Sequence, residues 1–130
     1  MRYITPRKAA MGLGSSRTGT EHHWWLTVSA IALAVITPSF LMVMGTALRL
    51  SDRAEIVLYF SRPYPAIVTA IFMTLGMMHF MKGTRNMIDD YFNHTARKVA
   101  LVVAAILGWS VIAVTLFALA RMTLASLAYA

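Results

Sequence analysis

Residues 63–93 read PYPAIVTAIFMTLGMMHFMKGTRNMIDDYFN, and the first nineteen of them, Pro63–Met81, include no Asp, Glu, Lys or Arg. At 1.5 Å rise per residue, a hydrocarbon layer about 30 Å thick is crossed by about 20 such residues in a helix. Pro63 and Pro65 suit a first helical turn, where the backbone N–H has no partner to lose. Nothing breaks the helix at Met81, so the spacing predicts one helix over 63–93 that crosses the membrane and emerges beyond it.

Two more charge-free runs lie on either side, Trp24–Leu48 with 25 residues and Val99–Ala120 with 22. The fold class that follows is an all-α membrane protein with three transmembrane helices. Composition agrees. Hydrophobic residues make up 58% of the 130 and charged ones 13%, about half the share usual in a soluble chain, and mean hydropathy is +0.64. A soluble enzyme, a nucleic-acid module and a disordered tail are excluded. The chain divides into an N-terminal segment 1–23, helix 24–48, an outer loop 49–62, helix 63–93 with its extension, a short loop 94–98, helix 99–121 and a tail 122–130. Pro38 lies within the first span and predicts a kink there. The first 23 residues have no apolar core of the kind a cleaved signal needs.

The twelve Lys and Arg give a formal net charge of +7 with the five acidic residues. Arg2, Arg7, Lys8 and Arg17 precede the first span, and Lys82, Arg85, Arg97 and Lys98 lie between the second and third. Only Arg49, Arg53, Arg62 and Arg121 stand on the other side. Cations accumulate on the cytoplasmic side of membrane proteins, so the N-terminus is expected inside and the C-terminus in the periplasm. Trp24, Trp25, Tyr59 and Tyr64 fall at the expected interfaces, where an amphipathic ring meets both water and lipid. No cysteine is present, which excludes disulfides and thiolate-held iron–sulfur clusters in this chain. The ten methionines read as adaptable packing.

His79 lies 16 residues past Pro63, about 24 Å along the helix and therefore inside the hydrocarbon. An ionisable ring there must be paired, ligated or facing a cavity. Two readings stay open from the span alone: an interhelical hydrogen bond, or an axial ligand to haem iron. Gly76 and Gly83 fall within about 60° and 40° of His79 around the helix. They leave room for a flat macrocycle or for close helix packing. Asn86 and Asp90 continue the same stripe toward water. Tyr91 is about 18 Å further along, at the surface. A phenol there can donate to a quinone oxygen beside the Asp90 carboxylate, or simply belong to the interfacial aromatic belt, which is the simpler reading on spacing alone. His22, His23 and His94 read as solvated or interfacial, the first two being adjacent and so lacking metal-ligand spacing. No span holds an Asp or Glu, which weighs against a proton-coupled transporter. A passive membrane tether remains an alternative.

With these residues in place the chain resembles the D-type hydrophobic membrane anchor subunit of succinate dehydrogenase, respiratory complex II, closest to alphaproteobacterial members. The resemblance is carried by His79-x3-Gly83-x6-Asp90-Tyr91 and by Leu13-Gly14-Ser15-Ser16-Arg17-Thr18-Gly19-Thr20-Glu21-His22-His23-Trp24-Trp25 running into Ser29–Leu33. It implies a location in the bacterial cytoplasmic (inner) membrane. The chain would pack there with a C-type cytochrome b anchor of three helices, beneath a flavoprotein and an iron–sulfur subunit. It implies haem b held between the two anchors with His79 as one axial ligand and Gly83 packing on it, and ubiquinone held by Tyr91 with Asp90 next to it. The chain itself would do no succinate chemistry. An anchor of the related fumarate reductase is the near alternative. Where family members often carry an arginine, this chain has Thr27, so that contact would come from Arg17 or from a partner subunit.

Overall fold

The computed structural model describes residues 4–10 and 19–127. Leu13–Thr18, with Arg17, lies outside them, as does Arg2. After a short helix α1 (Pro6–Ala10) come α2 (Gly19–Ala47), α3 (Arg53–Phe60), α4 (Pro63–Tyr91) and α5 (His94–Leu127). The protein is all-α. Three of its helices are long and apolar enough to cross a membrane, over His23–Ala47, Pro63–Tyr91 and His94–Ser126.

Helix α4 packs against both α2 and α5, and α3 lies against α5 and α4. Side-chain pairs give the register. From one end of α4 to the other, Phe72 stacks on Phe40 with centroids 3.8 Å apart, a Cβ on Gly76 would meet Leu33 at 3.9 Å, His79 meets Ser29, and Lys82 stands 4.8 Å over the Trp25 ring. Numbers rise on α4 as they fall on α2, so the two helices run antiparallel. The α4–α5 seam is also antiparallel: Met81 lies on Gly108, where an added Cβ would come within 2.5 Å of the Met81 sulfur, and Asp89 pairs with Arg97. A hydrogen for a side chain lets the helices close there, the usual role of small residues between membrane helices.

Helicity departs from the sequence reading in four places: α2 begins early, at Gly19 within the segment 1–23, and three others follow. The segment read as an outer loop holds α3, whose apolar Ile56, Val57 and Tyr59 are half-buried; Tyr59 donates to the Val43 carbonyl on α2 at 3.3 Å. The turn between α4 and α5 shrinks to Phe92 and Asn93, because His94 takes a left-handed φ of 48° and α5 starts there. Past Arg121 the helix continues to Leu127, and the Thr123 and Ser126 hydroxyls donate back to the Leu119 and Thr123 carbonyls. In α2, which runs through Pro38, the Thr37 hydroxyl donates to the Leu33 carbonyl at 2.6 Å, beside the Ala34 carbonyl that proline leaves without its N–H partner.

Few apolar side chains are buried within the chain itself. Val43, Ala47, Val68, Ile88, Ile112 and Leu119 form the core, whereas Ile31, Val35, Met42, Val114 and Phe117 are exposed. Exposed apolar surface on this scale marks lipid or another membrane helix as its surroundings.

Candidate functional site

His79 is half-buried where α4 crosses α2. Its Nδ1 stands 2.9 Å from the Ser29 hydroxyl oxygen. That oxygen also lies 2.7 Å from the Trp25 carbonyl and 3.0 Å from the Leu26 carbonyl, one turn back on α2. Among the described residues, Nε2 has no hydrogen-bond partner. Ser29 belongs to the stretch that carries the resemblance, but its contact with His79 depends on the α2–α4 register, which periodicity within either helix does not reveal.

The two glycines beside His79 differ. Gly76 packs on Leu33, whereas a Cβ at Gly83 would meet nothing within 4 Å. The space beside the imidazole therefore opens on the Gly83 side. One turn further on, the Lys82 ammonium lies over the Trp25 ring, an attraction between a cation and the negative face of the indole. Thr27 donates its hydroxyl to the His23 carbonyl at 3.1 Å.

Tyr91 is the last residue of α4 and is 80% exposed. Asp90 beside it is exposed too. Neither is brought to His79, being about 17–18 Å along the helix from it. The carboxylate engaged at this end is the neighbouring Asp89. It accepts from Arg97 Nε of α5 at 2.7 Å and lies 3.9 Å from Arg85 Nε. Asp90 shares the His79 stripe of the helix. Asp89 is recruited by the reversal of the chain after Tyr91, which a helical wheel does not contain.

Among the described residues no three His, Cys, Asp or Glu side chains converge as for a bound metal ion. His23 and His94 are exposed, and the side chain of His22 lies outside the described set. One buried hydroxyl, Thr69 on α4, lacks a hydrogen-bond partner.

Residues 1–120 match the family described as succinate dehydrogenase/fumarate reductase transmembrane subunit. The chain is 56% identical to the succinate dehydrogenase hydrophobic membrane anchor subunit of Paracoccus denitrificans, over 98% of both chains. It is 28% identical to that of Rickettsia typhi over 68% of this chain and 71% of the relative. With that of Rickettsia bellii it shares 27% over 85% and 87%. No solved structure matches it. The expectation of a D-type anchor is corrected by these findings: the matching family joins the transmembrane subunits of succinate dehydrogenase and fumarate reductase, and the relatives carry no type. The physical reason is that three apolar spans answer to a lipid setting, which every transmembrane subunit of the family meets alike.

Proposed function

Because the chain belongs to the succinate dehydrogenase/fumarate reductase transmembrane subunit family, we propose that it ligates one side of a b-type haem through His79 and helps form a ubiquinone site at Tyr91. Membership makes it a non-catalytic membrane anchor within a larger succinate dehydrogenase complex, a multi-pass helical protein of the bacterial inner membrane. In this reading another membrane subunit would hold the haem from its other side, and a flavoprotein and an iron–sulfur subunit would dock on the cytoplasmic side. That side is the one holding the N-terminus and the α4–α5 turn, as the distribution of Lys and Arg implies.

The observation that carries the reading is the state of one ring. His79 sits at membrane depth with Nδ1 engaged by Ser29 and Nε2 without a partner among the described residues. A nitrogen lone pair buried in lipid costs free energy unless something uses it. The residues fit a haem: one imidazole nitrogen is anchored and the other open, and a side of the helix has no Cβ where Gly83 stands. A haem held there would supply one-electron chemistry. What the chain contributes is placement. Ser29 and Trp25 set the ring against α2, Gly83 keeps the adjoining surface low, and the Tyr91 phenol stands at the water-facing end to donate to a quinone oxygen. Asp90 beside it can accept from that phenol and hold it in line.

The test is the spectrum of the purified complex carrying His79→Ala. Loss or marked change of the low-spin b-type absorption is expected, with the subunits still co-purifying. An unchanged spectrum with both axial ligands in place would remove His79 from the iron and leave the pair with Ser29 as a helix-to-helix hydrogen bond only.

A further inference from the structure

The Ser29 hydroxyl oxygen has three polar neighbours: the Trp25 carbonyl at 2.7 Å, the Leu26 carbonyl at 3.0 Å and His79 Nδ1 at 2.9 Å. A hydroxyl has one hydrogen and two lone pairs. Neither carbonyl has a hydrogen to offer, so oxygens 2.7 Å apart require the seryl hydrogen between them. That hydrogen is committed to the backbone of α2. The contact with Nδ1 is then a hydrogen bond only if Nδ1 supplies its own proton. We propose that Ser29 is a positioning residue for His79, holding the imidazole as the tautomer protonated at Nδ1 and leaving the Nε2 lone pair free for a metal.

The alternative tautomer fits poorly. With its hydrogen on Nε2, the ring would turn a lone pair toward Ser29, and the hydroxyl would have to leave both carbonyls to meet it. An unbonded N–H would also stand on Nε2 within the hydrocarbon, a costly position. In the arrangement observed, a short chain runs from Nδ1–H to the Ser29 oxygen and from its hydrogen to the Trp25 carbonyl, each bond polarising the next. Such a partner on the far nitrogen fixes ring orientation and makes the near nitrogen a stronger donor. The proposal rests on His79 being a haem ligand, since only a ligand puts the free Nε2 lone pair to use.

The test uses the whole complex with Ser29→Ala, Ser29→Thr and His79→Ala, read by low-spin electron paramagnetic resonance, redox titration of the haem and the rate of haem loss to added apomyoglobin. Ser29→Ala should keep two axial ligands, move the haem potential upward as the ligand becomes a weaker donor, and lower haem retention roughly tenfold. Ser29→Thr, which restores a hydroxyl, should return all three readings toward the parent. A parental potential and loss rate in Ser29→Ala would overturn the proposal while leaving His79 on the iron, and so would a Thr variant as altered as the Ala one. If the Ala complex does not assemble, Ser29→Gly removes the hydroxyl without added bulk and is held to the same outcomes. Indifference of the haem to His79→Ala would instead bring down the ligation reading itself, whatever Ser29 does.

Discussion

Tyr91 ends α4 with four-fifths of its surface exposed, so its side chain makes little of the fold. Tyr91→Phe should therefore leave the complex assembled while removing a hydrogen-bond donor worth about 0.5–1.5 kcal/mol to a neutral acceptor. Quinone reduction is expected to fall severalfold, with succinate oxidation by an artificial dye acceptor unchanged. Parallel loss of both rates would show faulty assembly rather than a quinone contact. At this scale the chain was only partly legible. The depth of His79 follows from counting residues past Pro63, and its company of glycines from 100° per residue. Ser29 as its partner, and Asp89 rather than Asp90 as the engaged carboxylate, follow from where a second helix lies. No periodicity within one helix contains that information.

Between elements, the two seams of α4 are built differently. Toward α2 it uses rings and polar pairs: Phe72 on Phe40, His79 with Ser29, Lys82 over Trp25. Toward α5 it uses a close approach at Gly108 and the ion pair of Asp89 with Arg97. Gly108→Val would drive a branched side chain into Met81, and overpacking of this kind costs about 1–3 kcal/mol. Denaturation of the purified chain in mixed detergent micelles should show that loss, and Met81→Ala in the same chain should recover part of it. A Val variant as stable as the parent would mean that the seam opens without cost. The three long helices were legible because charge is excluded from lipid. Helix α3 was not, because eight residues with two charges near their start, RAEIVLYF, read as a solvated linker until tertiary contact covers their apolar side. The close approach at Gly108 is illegible for a similar reason. A glycine in an apolar run says nothing until the opposing side chain is known.

Across the whole molecule, the long helices bury few of their apolar side chains against one another, the least in α2. An isolated chain in water would expose them, so it should purify as an aggregate without detergent or lipid and as a dispersed helical protein with either; sedimentation checks this. Topology can be read directly because the chain has no cysteine. With Asp52→Cys or Asn93→Cys introduced singly, a membrane-impermeant maleimide on intact cells should label the first and spare the second. Labels in the reverse order would invert the orientation proposed from the charge distribution and move Tyr91 to the periplasmic face.

Among the described residues α2 and α5 scarcely touch, and each leans on α4. Away from α3, whose Tyr59 ties the α5 side to α2, the two outer columns answer to separate fastenings on a middle post. Prising α5 from Met81 would tilt one column and leave the imidazole hooked to Ser29 on the other. Damage on the far flank should therefore show first as a wobbling third span, with the clasp between His79 and Ser29 the last thing to slip.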